Sequence, residues 1–172
     1  MEDSLSIIFA IIVALIIMFI VPLMDTWELQ DNLSYTITYA AVTDFVDTCR
    51  NVGYISLDSY MAFQQTLLST GNTFAITMEH RDQREIPILD DDNNIKMMKT
   101  AFYNTYTSQI EYELYNEPHI YRLGKYDYFF VSVKNTNTTQ ASIINNLVAN
   151  DSTNFKIGCA YGGCVWSSSA DE

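Results

Sequence analysis

Leu5–Met24 reads LSIIFAIIVALIIMFIVPLM, a run of 20 residues with no charge inside it. A helix of roughly 20 apolar residues crosses the ~30 Å hydrocarbon layer of a bilayer. The run is expected to be a membrane-spanning helix, or an equally apolar helix packed among others. Only Met1, Glu2, Asp3 and Ser4 precede it. A cleaved secretory signal starts with positive charge and ends in small residues before the cut. Here the start is acidic and the run leaves through Pro22-Leu23-Met24-Asp25 with no A-x-A site, so secretory cleavage is not expected.

Helical spacing continues past the apolar run. Leu29, Leu33, Ile37, Ala41, Phe45 and Cys49 are each four apart and form one slowly drifting row, with Val42 and Val46 beside its later half. Gly53 is placed to stop the helix. The expectation is one long helix over residues 4–52, apolar in its first half and amphipathic in its second, where the row docks the chain's own head. Pro22 lacks an amide donor and crowds the preceding turn, which predicts a kink there.

The chain has 172 residues, room for one domain beside this helix, and carries a net charge of −12. That balance opposes binding to nucleic acid, whose phosphates are met by Lys and Arg. It equally opposes an anionic membrane surface. The positive-inside bias has little to count, since the first basic residue is Arg50. Cys159 and Cys164 bracket Ala160-Tyr161-Gly162-Gly163, and the Gly-Gly step suits a tight reversal. The pair is therefore a disulfide candidate across a closing hairpin of Phe155–Tyr161 and Val165–Trp166, against the alternative of two unlinked thiols. Cys49 is left over and expected to be buried.

Ser56 can cap a second helix that presents Leu57, Tyr60, Met61, Phe63, Leu67 and Leu68 on one broad face and ends at Gly71. Thr73–Glu79 alternates as a strand with Phe74, Ile76 and Met78 on one side. Arg81–Asn94, acidic and holding Pro87, reads as a loop. Ile95–Asn116 reads as helix or strand, because its Tyr and Thr content competes with a helical pattern. Ile120–Leu123 is a short strand. Tyr126–Lys134 alternates Tyr128, Phe130 and Ser132 against Phe129, Val131 and Val133, and Gln140–Ala149 is a short helix. The fold class is α+β: a long N-terminal helix, then a small head with helices packed on a mostly antiparallel sheet. The expected division is an apolar helix over 1–24, its amphipathic continuation over 25–53, an α+β head over 54–166 and an acidic tail over 167–172.

No pattern for catalysis, cofactor or metal is expected to function. Asp90-Asp91-Asp92-Asn93-Asn94 offers alternate oxygens but lacks the glycine and distal glutamate of a calcium loop. His80 and His119 have no helix-spaced partner. Asn32, Asn137 and Asn150 head glycosylation tripeptides, the first of them inside the long helix. The twelve tyrosines suit sheet faces, core packing and subunit contacts.

Met1, the uncharged run Leu5–Val21, Pro22 and the amphipathic continuation to Asn51 resemble the start of type IV pilins and related pseudopilins. These begin their mature chain at Met or Phe and continue in one long helix, apolar in its first half, with a proline at position 22. The resemblance covers about the first third of the chain. It implies a structural subunit of an extracellular filament or secretion pseudopilus. Such a subunit is held in the membrane before assembly and then polymerises with copies of itself or related pilins. Met1, Glu2, Asp3, Leu5, Ile8, Ile12, Leu15, Phe19 and Pro22 would form the assembly helix. The family's glutamate at the fifth residue is Leu5 here, which points to a divergent or minor subunit with Glu2 and Asp3 as the only acids near the amine. Either the numbering is that of the mature chain or leader processing does not occur. The alternatives are a single-pass anchored extracytoplasmic binding or accessory protein that does not polymerise, and an exported enzyme or virion protein.

Overall fold

A computed structural model describes residues 2–89, 95–149 and 157–167. Helix α1 runs unbroken over Glu2–Val52, through Pro22, and stops where Gly53 takes a φ of 76°. The Gly53 N–H closes the last turn on the Cys49 carbonyl at 2.9 Å. A short strand β1 (Tyr54–Ser56) leads directly into α2 (Leu57–Leu68). The expected cap is present: the Ser59 N–H donates to Ser56 Oγ, and Ser59 Oγ accepts from the Ser56 N–H. Tyr60, Phe63 and Leu67 are buried, whereas Met61 and Leu68 turn out to solvent, so the apolar face is narrower than its sequence suggests.

Four strands form the main sheet in the order β3-β2-β5-β6, all antiparallel, and β1 pairs separately with β4 (Ile120–Arg122). Strand β2 covers Phe74–Leu89, not a short strand followed by a loop at Arg81. From Asp82 onward it pairs only with β3 (Ile95–Tyr106), so the two strands leave the body as a ribbon. A strand paired on one side leaves alternate amides unused, and Pro87 fits such a position. The ambiguous stretch is both things in succession: β3 gives way to α3 (Thr107–Tyr115). Thr107 marks the switch, since its hydroxyl accepts the Met78 N–H at 2.7 Å and donates to the Met78 carbonyl.

Strand β5 (Tyr128–Asn135) follows the expected alternation, with Phe129, Val131 and Val133 buried. Helix α4 spans Gln140–Ala149. The closing hairpin is not formed among the described residues. Gly158–Cys164 is one continuous strand, β6, in unbroken register with Lys134–Tyr128. Gly162 and Gly163 are therefore mid-strand. A Cβ at Gly162 would run into the Phe130 ring, and one at Gly163 into the Arg50 guanidinium. Glycine here answers to close packing and not to a turn.

That register removes the predicted disulfide. Five strand residues at about 3.3 Å each place Cys159 and Cys164 roughly 16 Å apart, and the odd separation sends them to opposite faces. A bridge needs Cα atoms within about 7 Å. Cys49, Cys159 and Cys164 are all free thiols.

The core lies between the sheet and the second half of α1. Val42, Phe45, Val46 and Cys49 meet Phe129, Val131 and Val133 from β5, Met78 from β2, and Tyr60, Phe63 and Leu67 from α2. Phe45 stacks on Phe63 with ring centroids 4.5 Å apart and planes within 6°. Truncation of such a ring leaves a cavity, and Phe45→Ala should lower the stability of the head by about 3–5 kcal/mol in chemical denaturation. Thiol alkylation gives a second check. Cys159 and Cys164 should react in the folded chain, Cys159 slowly because burial holds its thiol above the ordinary value. Cys49 should react only after unfolding, and no oxidised pair should be found.

Candidate assembly helix and the head docked on it

Residues 6–30 of α1 have no buried side chain. Ile8, Ile12, Leu15 and Phe19 are 57, 49, 51 and 66% exposed, and Ile7, Phe9, Ile16, Met18 and Val21 are equally open. This helix is long and apolar enough to cross a membrane, with a mean hydropathy of 3.3 in its most apolar window. Glu2, Asp3 and Leu5 lie on its first turns, and Met1 falls outside the described residues. Pro22 is exposed, and its carbonyl accepts the Thr26 hydroxyl at 2.8 Å.

The docked face of the second half differs from the row expected of it. Asp31, Ser34, Thr38, Val42, Phe45, Val46 and Cys49 are buried, while Leu29 and Leu33 are 69 and 60% exposed. The i,i+4 row drifts around the helix because 3.6 residues make a turn. It ends beneath α2 at Phe45 and Cys49 but starts in solvent. Leu33 stands nine positions from Val42, about 180° around the axis, so it faces away from the head. Ile8, Ile12, Leu15, Phe19, Pro22, Thr26, Leu29 and Leu33 follow one another at alternating steps of four and three. That spacing holds residues on one stripe, as in the seam of a coiled coil, with Pro22 and Thr26 as its non-aliphatic members. The stripe is about 37 Å long at 1.5 Å per residue, longer than the ~30 Å of hydrocarbon.

Polar contacts complete the docking. Asp31 is buried and accepts the Thr139 hydroxyl at 2.6 Å. Thr139 Oγ1 in turn accepts the Ser142 N–H at the start of α4, so an acid of α1 sits where that helix's dipole favours one. Arg50 donates to the Cys164 carbonyl at 2.7 Å and to Asp47 at 2.8 Å. Tyr161 donates to the same Asp47. Asp31 and Asp47 lie off the Leu29–Cys49 row, and periodicity gives no sign of what they bond. Only the strand and helix opposite reveal their partners.

A buried polar array lies at the other end of the head. His80 Nε2 is 2.9 Å from Asp127 Oδ2, and its Nδ1 is 2.7 Å from the Tyr121 hydroxyl. The Asp127 carboxylate also accepts the Gln83 N–H at 2.8 Å and the Gly124 N–H at 2.7 Å. With Nε2–H donating to the carboxylate, the neutral ring accepts the tyrosine O–H at Nδ1. All three side chains are at most 6% exposed. The array clamps β2, β4 and the turn before β5 together. Glu79 and Arg81, which flank His80 in sequence, point to the opposite sheet face and pair at 2.8 Å. His119 lies apart, hydrogen-bonded to the Leu114 carbonyl.

Among the described residues no group of His, Cys, Asp or Glu is arranged to hold a metal ion. Residues 90–94 and the tripeptide at Asn150 lie outside the described residues. The Asn137 amide nitrogen is engaged by Asn72 at 2.8 Å, and its oxygen by the Thr73 N–H, so the side chain is held against the head. Of the tyrosines only Tyr60 and Tyr121 enter the core. The Tyr60 hydroxyl donates to Glu111 at 2.6 Å. Comparison of the chain with models of known protein families, with curated proteins and with solved structures finds no match.

Two measurements check this site. Asp127→Ala strands the buried His80 and two part-buried amides without a partner, and should destabilise the head by about 3 kcal/mol or more in denaturant titration. Asn at the same position should recover part of that loss. Burial, and then Glu111, raise the Tyr60 phenol above its usual value of 10.0, and burial raises Tyr121 as well. The folded state thus holds these protons more tightly than the unfolded chain, so stability should fall as pH climbs above about 10. Tyr60→Phe should flatten part of that alkaline decline.

Proposed function

We propose that this protein is a pilin-like structural subunit: it is held in the membrane by Leu5–Met24, polymerises through α1 and displays its α+β head outward. The observation that carries this reading is the exposed stripe from Ile8 to Leu33 on the side of α1 opposite the head. Lipid accounts for its first 30 Å or so. Leu29 and Leu33 lie beyond that length, and a monomer anchored by residues 5–24 would hold them in water or headgroups. Packing against neighbouring α1 helices covers the whole stripe at once, replacing lipid along the first half and water along the second. Each buried leucine contributes about 1.5–3 kcal/mol.

The resemblance of the N-terminal third to type IV pilins and pseudopilins supports the same reading. The head is built for it, since its core closes on one face of α1 and leaves the other free. With Leu5 in place of the family's glutamate, register would depend on Glu2, Asp3 and the packing of the stripe itself. A minor or divergent subunit fits this better than a standard major pilin. The head, acidic and outside the membrane, would be the displayed part.

The test separates anchor from subunit. Chains released from membranes should form filaments visible by electron microscopy in the absence of detergent. Leu33→Lys should leave membrane insertion intact and reduce filament mass at least tenfold, because the substituted position lies past the hydrocarbon. A monodisperse single-pass monomer under all conditions, or full assembly of the lysine variant, would reject the proposal in favour of a permanently anchored accessory protein.

A further inference from the structure

The β2–β3 ribbon extends past the strands of the body, and one of its faces has no partner among the described residues. Side chains alternate along β2, so Arg84, Ile86 and Ile88 lie on the same sheet face as the buried Met78 and His80. Met97, Lys99 and Ala101 stand opposite them on β3. Ile86, Ile88 and Met97 are 39, 38 and 57% exposed. This face looks toward the α1 side of the sheet, yet α1 packs chiefly on β1, β5, β6, α2 and α4. The apolar patch is interrupted only by Lys99, directly across from Ile86, and by Arg84, which is already paired with Asp82 at 2.6 Å.

A surface of matching character exists elsewhere on the same chain. Along α1, Glu28, Tyr35 and Tyr39 fall on one strip beside the docked face, separate from the stripe that carries Leu33. Tyr35 and Tyr39 are 43 and 47% exposed and stack on each other with centroids 6.4 Å apart. Residues 25–49 hold Asp25, Glu28, Asp31, Asp44 and Asp47 and no Lys or Arg. The described ribbon residues 82–89 and 95–103 hold Arg84, Lys96 and Lys99 against Asp82 and Glu85, a difference of one positive charge. Glu28 to Tyr39 spans about 16 Å of helix and Arg84 to Ile88 about 13 Å of strand, so the two patches are similar in length.

We infer that the ribbon of one copy docks on the Glu28–Tyr39 strip of a second copy, with Lys99 directed to Glu28 and over the tyrosine rings, and Ile86, Ile88 and Met97 laid along them. Ammonium over an aromatic face is favourable, and an acid within reach adds to it. The two surfaces are different parts of the molecule, so the contact is heterologous and propagates instead of closing into a dimer. It rests on the assembly reading and adds a head-to-helix contact beside the stripe.

The experiment mixes ¹⁴N- and ¹⁵N-labelled full-length chains, treats the assembled material with a zero-length carbodiimide, and identifies cross-links by mass spectrometry. A Lys99–Glu28 link between differently labelled copies is expected. Lys99→Glu and Glu28→Lys should each cut pelletable polymer about fivefold or more, and the double exchange should restore it. Polymer without the intermolecular link, single variants that assemble like wild type, or a double exchange that restores nothing would each overturn this contact while leaving the assembly reading standing. A Lys99–Glu28 link between copies in detergent, with no polymer under any condition, would keep the contact and reject assembly. Neither link nor polymer rejects both.

Discussion

Burial of one face of α1 is the constraint on which the rest of the structure depends. Val42, Phe45, Val46 and Cys49 supply the central ridge of the core, and the sheet, α2 and the turn into β1 are laid against it. A helix can bury only so much of its circumference in one small head. The other side must stay open for as long as the chain is alone. That division gives the helix two faces, one that folds the head and one that stays exposed.

The polar contacts act in the same direction. Asp31 with Thr139, and Arg50 with the Cys164 carbonyl, fasten the head to α1 at widely separated points along the helix. The His80, Tyr121 and Asp127 clamp holds β4 and the turn before β5 against β2 at the other end. Buried groups of this kind contribute modest net stability when satisfied and cost several kcal/mol when one partner is lost. They make the geometry of the head specific. The ribbon, by contrast, has few internal constraints beyond its own ladder, and its apolar side chains are left facing outward.

The extent to which the sequence could be read follows the range of the forces involved. The long helix, the Ser56 cap, the stop at Gly53 and the alternation of Tyr128–Val133 are local consequences of capping chemistry and periodicity, and each is legible in a few residues. The ribbon was not, because polar residues and Pro87 resemble a loop until β3 is there to pair with them. Gly162-Gly163 resembled a turn because glycine answers equally to positive φ and to close packing, and only the Phe130 ring and the Arg50 guanidinium distinguish the two. With the turn goes the disulfide. The tyrosine and aspartate partners of His80 lie 41 and 47 residues away, beyond any motif spacing.

The sequence by itself determined that Leu5–Met24 prefers an apolar environment, that the helix continues well past it, and that an acidic α+β head follows. Those are properties of composition and of a 3.6-residue repeat, and they need no knowledge of contacts. Only the tertiary structure decided which side of the helix the head occupies. The row from Leu29 to Cys49 looks uniform in sequence, but it drifts around the axis, so its end lies in the core and its beginning faces solvent. Leu29 and Leu33 thereby lie on the outside of the molecule, on the side of α1 away from the head.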